Sequence, residues 1–222
     1  MGAGERFVTA SPHLATAHTT PRIMWTVVGS LVPVLGAAIW FFGPSAVFVV
    51  GAATLGAILT ERAFGNPGSL RDGSGLITGL LLGLTLPAGL PMWMAFVGGA
   101  FGIGFGKLIF GGLGQNAFNP ALLGRAFLQA AFPVAMTTWP AAPSSWWALR
   151  GDTFAFPFLS SHAPDVLTGA TPLGLMKFEQ VGTAPWSLVL GNTGGSLGET
   201  AGLLITLCGL YLALRNYLNW RI

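Results

Sequence analysis

The sequence predicts an all-α fold, a polytopic helical bundle that spans a membrane, on three observations. Charged residues make up 8% of the 222, against roughly a quarter in soluble globular domains, too few to cover a surface in water. The stretches Ile23–Thr60 and Gly73–Gly106 contain no Asp, Glu, Lys or Arg. A crossing helix needs about 20 apolar residues, so each stretch has room for two crossings and a tight turn. The chain also holds 33 glycines, small residues that let helix backbones approach closely inside a bilayer.

The elements follow in order. Residues 1–21 form a polar tail rich in Ser, Thr and Pro, expected on the cytoplasmic side. Residues 22–139 form the transmembrane bundle, with about five membrane segments. Span one covers Ile23–Phe42 and turns at Gly43-Pro44; span two covers Ser45–Thr60 and closes on Glu61-Arg62. Turn residues fill Ala63–Gly75. Span three, Leu76–Leu86, is too short to cross alone, which predicts a re-entrant or broken helix before the turn Pro87–Pro91. Span four covers Met92–Leu108 and span five Ala121–Trp139, separated by the glycine- and amide-rich loop Gly111–Pro120. A long polar segment, residues 140–199, precedes a last helix in residues 200–222. The spacings Gly75, Gly79, Gly83 and Gly98, Gly102, Gly106 place two glycine spines on helix faces, read as packing surfaces.

Basic residues set the orientation. With the N-terminus inside, Arg6, Arg22, Arg62, Arg71, Lys107, Arg125, Arg215 and Arg221 fall on the inner side or inner helix ends. Only Arg150 and Lys177 fall outside. Eight against two satisfies the positive-inside rule and puts residues 140–199 outside. Lys107 is expected to snorkel to the interface, Arg125 to need a partner or a water-filled cavity, and Glu199 to open the last helix at its favourable N-terminal end.

Several chemistries are excluded. A net charge of +3 without basic runs does not suit nucleic acid. Cys208 is the single cysteine, so there is no internal disulfide and no cluster of thiolate ligands. His13, His18 and His162 have no metal-ligand spacing. Gly102-x-Gly104-x-Gly106-Lys107 has Phe101 where a phosphate loop needs its first glycine. Gly112-x-Gly114 follows no strand, so it is not a dinucleotide fingerprint.

The polar segment contains Asp165-Val166-Leu167-Thr168-Gly169-Ala170-Thr171-Pro172. A residue before proline is pushed to extended geometry, which keeps the Thr171 hydroxyl out of a helix. Thr171 also has the character of an N-cap ahead of Pro172. The pattern Asp-x-x-Ser/Thr-Gly-Ala-Thr is similar to the flavinylation motif of membrane redox subunits. Further blocks agree in order: Arg71–Leu80, Gly106-Lys107, Gly111–Ala121, Gly124–Phe127, Pro133–Trp139 and Gly191–Thr200. Together they resemble the D-type subunit of the Rnf ion-translocating ferredoxin:NAD oxidoreductase complex, a relative of the B-type subunit of the sodium-translocating NADH:quinone reductase.

That resemblance implies two inverted helical repeats, of which the chain holds the first and the start of the second. It implies FMN joined through its phosphate to Thr171 by a flavin transferase that reads Asp165, Thr168, Gly169 and Ala170. It further implies a non-covalent riboflavin within the bundle, partners in the other Rnf subunits, and a place in the bacterial inner membrane with the flavin on the periplasmic side. Asn116 and Asn119 either hold the second flavin or cap the loop and helix that follow. Electrons would pass between ferredoxin and NAD with Na⁺ or H⁺ translocation, the chain serving as one component of a complex rather than an enzyme alone. The alternatives are a flavin-free channel or transporter half and a structural scaffold.

Overall fold

The computed structural model describes residues 19–66, 68–139, 146–157, 171–191, 193–199 and 201–218. Helices dominate. The first pair, α1 (Thr20–Phe42) and α2 (Pro44–Phe64), are long and apolar enough to cross a membrane. Gly43 joins them at φ 71°, a conformation that favours glycine. The expected pair of long apolar helices with a tight turn is present, and α2 runs one turn further than predicted, to Phe64.

The carbonyls that α1 leaves open at its C-terminus are filled from residues 146–157. Trp146 Nε1 donates to Trp40 O at 3.1 Å, and Arg150 Nη2 donates to Phe41 O at 2.6 Å. The Arg150 guanidinium stacks over the Phe42 ring at 4.9 Å, and its backbone N–H donates to Ser45 Oγ at 2.8 Å. Burial holds the Arg150 pKa below its ordinary value. These contacts close the end of the bundle where α1 turns into α2. The other end carries Arg22, Arg62, Arg71 and Arg215 and is here called the basic end.

From the basic end, a 3-10 turn (Ser69–Asp72) leads into α3 (Ser74–Leu84). At 1.5 Å per residue, its 11 residues reach about 16 Å, half-way along the bundle. The non-helical segment that follows carries buried Leu86 and Leu90 to α4 (Met92–Ile103), which returns to the basic end. The carbonyls left open at the end of α3 are met from far along the chain. Leu197 N donates to Leu86 O at 3.1 Å, and Gly198 N to Leu84 O at 2.7 Å, beside an antiparallel bridge of Pro87 with Ser196. Residues 196–198, expected in the polar loop, therefore lie half-way along the bundle.

Close backbone contact explains the glycine spines. A Cβ on Gly79 would lie 2.4 Å from Thr54 Cα, and one on Gly83 would lie 2.7 Å from Val50 Cα. On α4, a Cβ on Gly102 would meet Pro120 O at 2.5 Å and one on Gly99 would meet Ala53 O at 2.1 Å. These glycines seat α3 and α4 on α2, and α4 on α5 (Pro120–Ala131).

Span five is not one helix. Pro133 has no N–H and pushes Phe132 to φ −134°, ψ 57°, so α5 ends at Ala131 and a short α6 (Pro133–Thr137) follows. Beyond it come α7 (Pro172–Gly174), running into a π-turn Leu175–Glu179, then α8 (Pro185–Leu190) and α9 (Gly202–Leu214). The last helix covers less than the expected residues 200–222 among the described residues. It packs on α1, and none of its residues is buried among the described residues.

Candidate functional site

Apart from the Arg150 contacts, three polar places stand out among the described residues of an otherwise apolar bundle. The most enclosed lies at the basic end. After Ile103 the helix widens into a π-turn, Gly104–Leu108, with Ile109 N donating to Gly104 O at 3.1 Å. Lys107, on that turn, is 2% exposed. Its ammonium donates to Glu61 Oε1 and, at 2.5 Å, to Ser74 Oγ; Asp72 Oδ2 lies 3.7 Å away. Ser69 Oγ donates to Glu61 Oε1 at 2.7 Å, and Asp72 Oδ1 accepts from Ser74 N at 2.8 Å and Ser74 Oγ at 2.6 Å. Glu61 Oε2 is buried without a donor among the described residues. It packs against Gly75, where a Cβ would stand 1.9 Å away.

This corrects the expectation that Lys107 snorkels to the interface. The π-turn brings it inward, where a buried ammonium is tolerated because a carboxylate pairs with it. The cluster joins the end of α2, the 3-10 turn, the start of α3 and the end of α4. Glu61, Asp72 and Ser74 looked like ordinary loop and helix-end residues. The one signal in the sequence was a lysine following an uncharged run of 34 residues, Gly73–Gly106, since such a charge needs a partner.

The second place is half-way along the bundle, where Arg125 Nη1 of α5 meets Glu199 Oε1 at 3.3 Å. Arg125 has the partner its position demanded. Glu199 was expected to open the last helix, but the N-cap of α9 is Ala201 and Glu199 instead pairs with Arg125 across the seam.

The third is the loop before α5. Asn119 Oδ1 accepts from Ala121 N at 2.9 Å and from Leu122 N at 3.4 Å, so Asn119 is the N-cap of that helix. Asn116 is different: its Oδ1 is buried with no donor among the described residues. Of the two amides, Asn116 is the one whose oxygen lacks a donor among the described residues.

Thr171 stands apart from these clusters in sequence and on its own segment. It has φ −68°, ψ 153°, the extended geometry Pro172 imposes, and its Oγ1 accepts from Gly174 N at 3.2 Å. Among the described residues the hydroxyl serves the backbone as an acceptor. A phosphoester at Oγ1 replaces the hydroxyl proton and leaves lone pairs on the oxygen, so the cap and the modification are compatible. Asp165, Thr168, Gly169 and Ala170 lie outside the described residues.

The long apolar helices, with paired charges among them, define a helical membrane protein. The chain matches the family described as NQR2, RnfD, RnfE over residues 7–222, and it belongs to that family. It is similar, at 36% identity over 97% of its length, to the D-type subunit of the proton-translocating ferredoxin:NAD(+) oxidoreductase complex of Clostridium ljungdahlii. The Na(+)-translocating counterpart from Acetobacterium woodii is also 36% identical, over 97% of this chain. The D-type subunit of an ion-translocating oxidoreductase complex from Stutzerimonas stutzeri is 39% identical over 90%. The chain spans 64, 64 and 62% of the lengths of these three relatives.

Proposed function

We propose that the chain acts as the D-type membrane subunit of a Rnf-type complex and carries FMN covalently on Thr171. Electrons then pass between ferredoxin and NAD through the complex while Na⁺ or H⁺ crosses the membrane. The observation that carries the reading is the Asp165–Thr171 heptad in a member of this family. The extended geometry of Thr171 and the bond its Oγ1 accepts from Gly174 N, which a phosphoester would leave in place, support it. When bound, FMN supplies the redox chemistry; the chain's part is to hold the phosphoester at the head of α7.

The chain holds the first of two inverted repeats and the start of the second, supported by an α3 that stops half-way and by the length of the relatives. In the bacterial inner membrane the basic end, with Arg22, Arg62, Arg71, Lys107 and Arg215, faces the cytoplasm by the positive-inside rule, and Thr171 faces the periplasm, where a flavin transferase reaches it. Asn116 is the residue proposed to meet a non-covalent riboflavin, because its buried Oδ1 fits a ring N–H donor.

The test is the chain expressed in its membrane with a flavin transferase, then denatured and separated. A fluorescent band with the added mass of FMN less water supports the proposal; a dark band of unmodified mass overturns it. Orientation is read separately, in a Cys208→Ser background, by labelling Asn66→Cys and Gln180→Cys, both exposed. Only the latter should react from outside.

A further inference from the structure

A groove of about 700 Å³ runs between α1 and α9 and opens on the side of the bundle. Its character changes along its length. Arg22, Trp25 and Tyr211 line it near the basic end, whereas Gly29, Pro33, Leu204 and Leu207 line it deeper in the bundle. Arg215, at the C-cap of α9, stacks over the Tyr211 ring at 5.8 Å, so a second guanidinium stands at the same mouth.

We propose that this groove binds an anionic phospholipid, its phosphate against Arg22 and Arg215 and an acyl chain along Gly29 and Pro33. A cation, then an interfacial aromatic pair, then an apolar floor is the order in which a phospholipid presents phosphate, glycerol and hydrocarbon. The charge balance of this end agrees. Arg22, Arg62, Arg71, Lys107 and Arg215 share it with Glu61 and Asp72, and Lys107 engages both of those acids, so the end is net positive among the described residues.

The groove is open rather than loosely packed. A Cβ on Gly29 would find nothing within 4 Å, unlike the glycines that seat α3 and α4. Pro33, one turn along, adds only a compact ring to that stretch of floor. The aromatic wall is held in place: Trp25 Nε1 donates to Arg71 O at 3.4 Å, tying it to the 3-10 turn. The site rests on the bundle lying in a bilayer, and on neither the flavin nor the ion of the proposed function.

The experiment is native mass spectrometry of the full chain released from nanodiscs of equal phosphatidylglycerol and phosphatidylcholine. Wild type should retain phosphatidylglycerol in preference. Each arginine near a headgroup contributes about fivefold, so Arg22→Gln with Arg215→Gln should bring retention to parity. Gly29→Leu puts its Cβ in open space and its branched end into the groove, and should lose retained lipid of both classes while melting no lower than wild type. A photoreactive maleimide on Cys208, which lines the groove, should give a lipid adduct. Equal retention of the two lipids by wild type, unchanged retention by Gly29→Leu, or a polypeptide adduct at Cys208 would each overturn the proposal. None of these readouts depends on flavin, so a dark Thr171 leaves them intact.

Discussion

Arg125 and Glu199, 74 residues apart in the chain, meet at 3.3 Å half-way along the bundle. The pair ties α5 to the segment that satisfies the open carbonyls of Leu84 and Leu86. It thereby holds together the one region, among the described residues, where non-helical backbone lies deep among apolar helices. Glu199→Gln leaves Arg125 without its counter-charge, at a cost bounded by the roughly 2.5–3.5 kcal/mol of a lone charge at the bilayer centre. Exchanging the two, Arg125→Glu with Glu199→Arg, should recover much of the thermal stability that either single change loses.

The Lys107 cluster makes a larger prediction because Lys107 and Glu61 are both buried. Lys107→Met strands Glu61 beside Asp72 and should cost about 3–5 kcal/mol, the range for breaking a buried pair from one side. Adding Glu61→Gln removes the stranded charge and should restore most of the loss. Melting temperatures in one detergent check both. Equal destabilisation by the single and double variants would show that the pairing is not what matters.

Glycines on the bundle separate into two kinds. Gly99→Ala drives a methyl to within 2.1 Å of Ala53 O, between α2 and α4, and should lower the melting temperature sharply. Gly29→Ala meets open space and should be neutral or stabilising, as alanine is favoured over glycine in a helix by about 1 kcal/mol. A pair of melting curves decides it.

Much of this fold was legible in the sequence. Runs without charge marked the helices, Gly43-Pro44 and Pro91 their turns, and the shortness of span three its early end at Leu84. The spacing of Gly79 and Gly83 showed that a face of α3 packs closely, though not that α2 is the partner. The pairings were not legible. Lys107 faces inward because a π-turn adds a residue to the helical ring, and sequence periodicity assumes a constant ring. Glu199 pairs with Arg125 because residues 196–198 return to the bundle, a long-range bridge with no local signal. Pro133 lay in plain view inside the expected fifth span, and its break at Phe132 could have been read from the chain alone.

The two asparagines before α5 should respond differently. Asn119→Ala removes the N-cap and should cost about 0.5–2 kcal/mol, with flavin content unchanged in whatever remains folded. Asn116→Leu replaces the amide whose oxygen lacks a donor among the described residues and should deplete extractable riboflavin while covalent FMN stays. Extracting flavin from equal amounts of folded protein measures both. Full riboflavin in Asn116→Leu would remove this residue from the proposed site.

Thr171 gives the sharpest test of the proposed function, because its two roles separate by substitution. Its Oγ1 accepts from Gly174 N at 3.2 Å, and the same oxygen is the proposed point of attachment for FMN. Thr171→Ala removes the cap and the attachment point together. The chain should lose the fluorescent band and the added mass, at a cost to folding no greater than the ~0.5–2 kcal/mol of a lost N-cap. Thr171→Ser keeps the oxygen, so it should keep the cap and retain part of the flavin. Thr171→Asn supplies a capping oxygen without a hydroxyl nucleophile, and should match wild type in stability while remaining dark. Loss of flavin in the alanine and asparagine variants with normal levels of folded protein separates attachment from folding. Covalent flavin persisting in either variant would place the phosphoester on another residue.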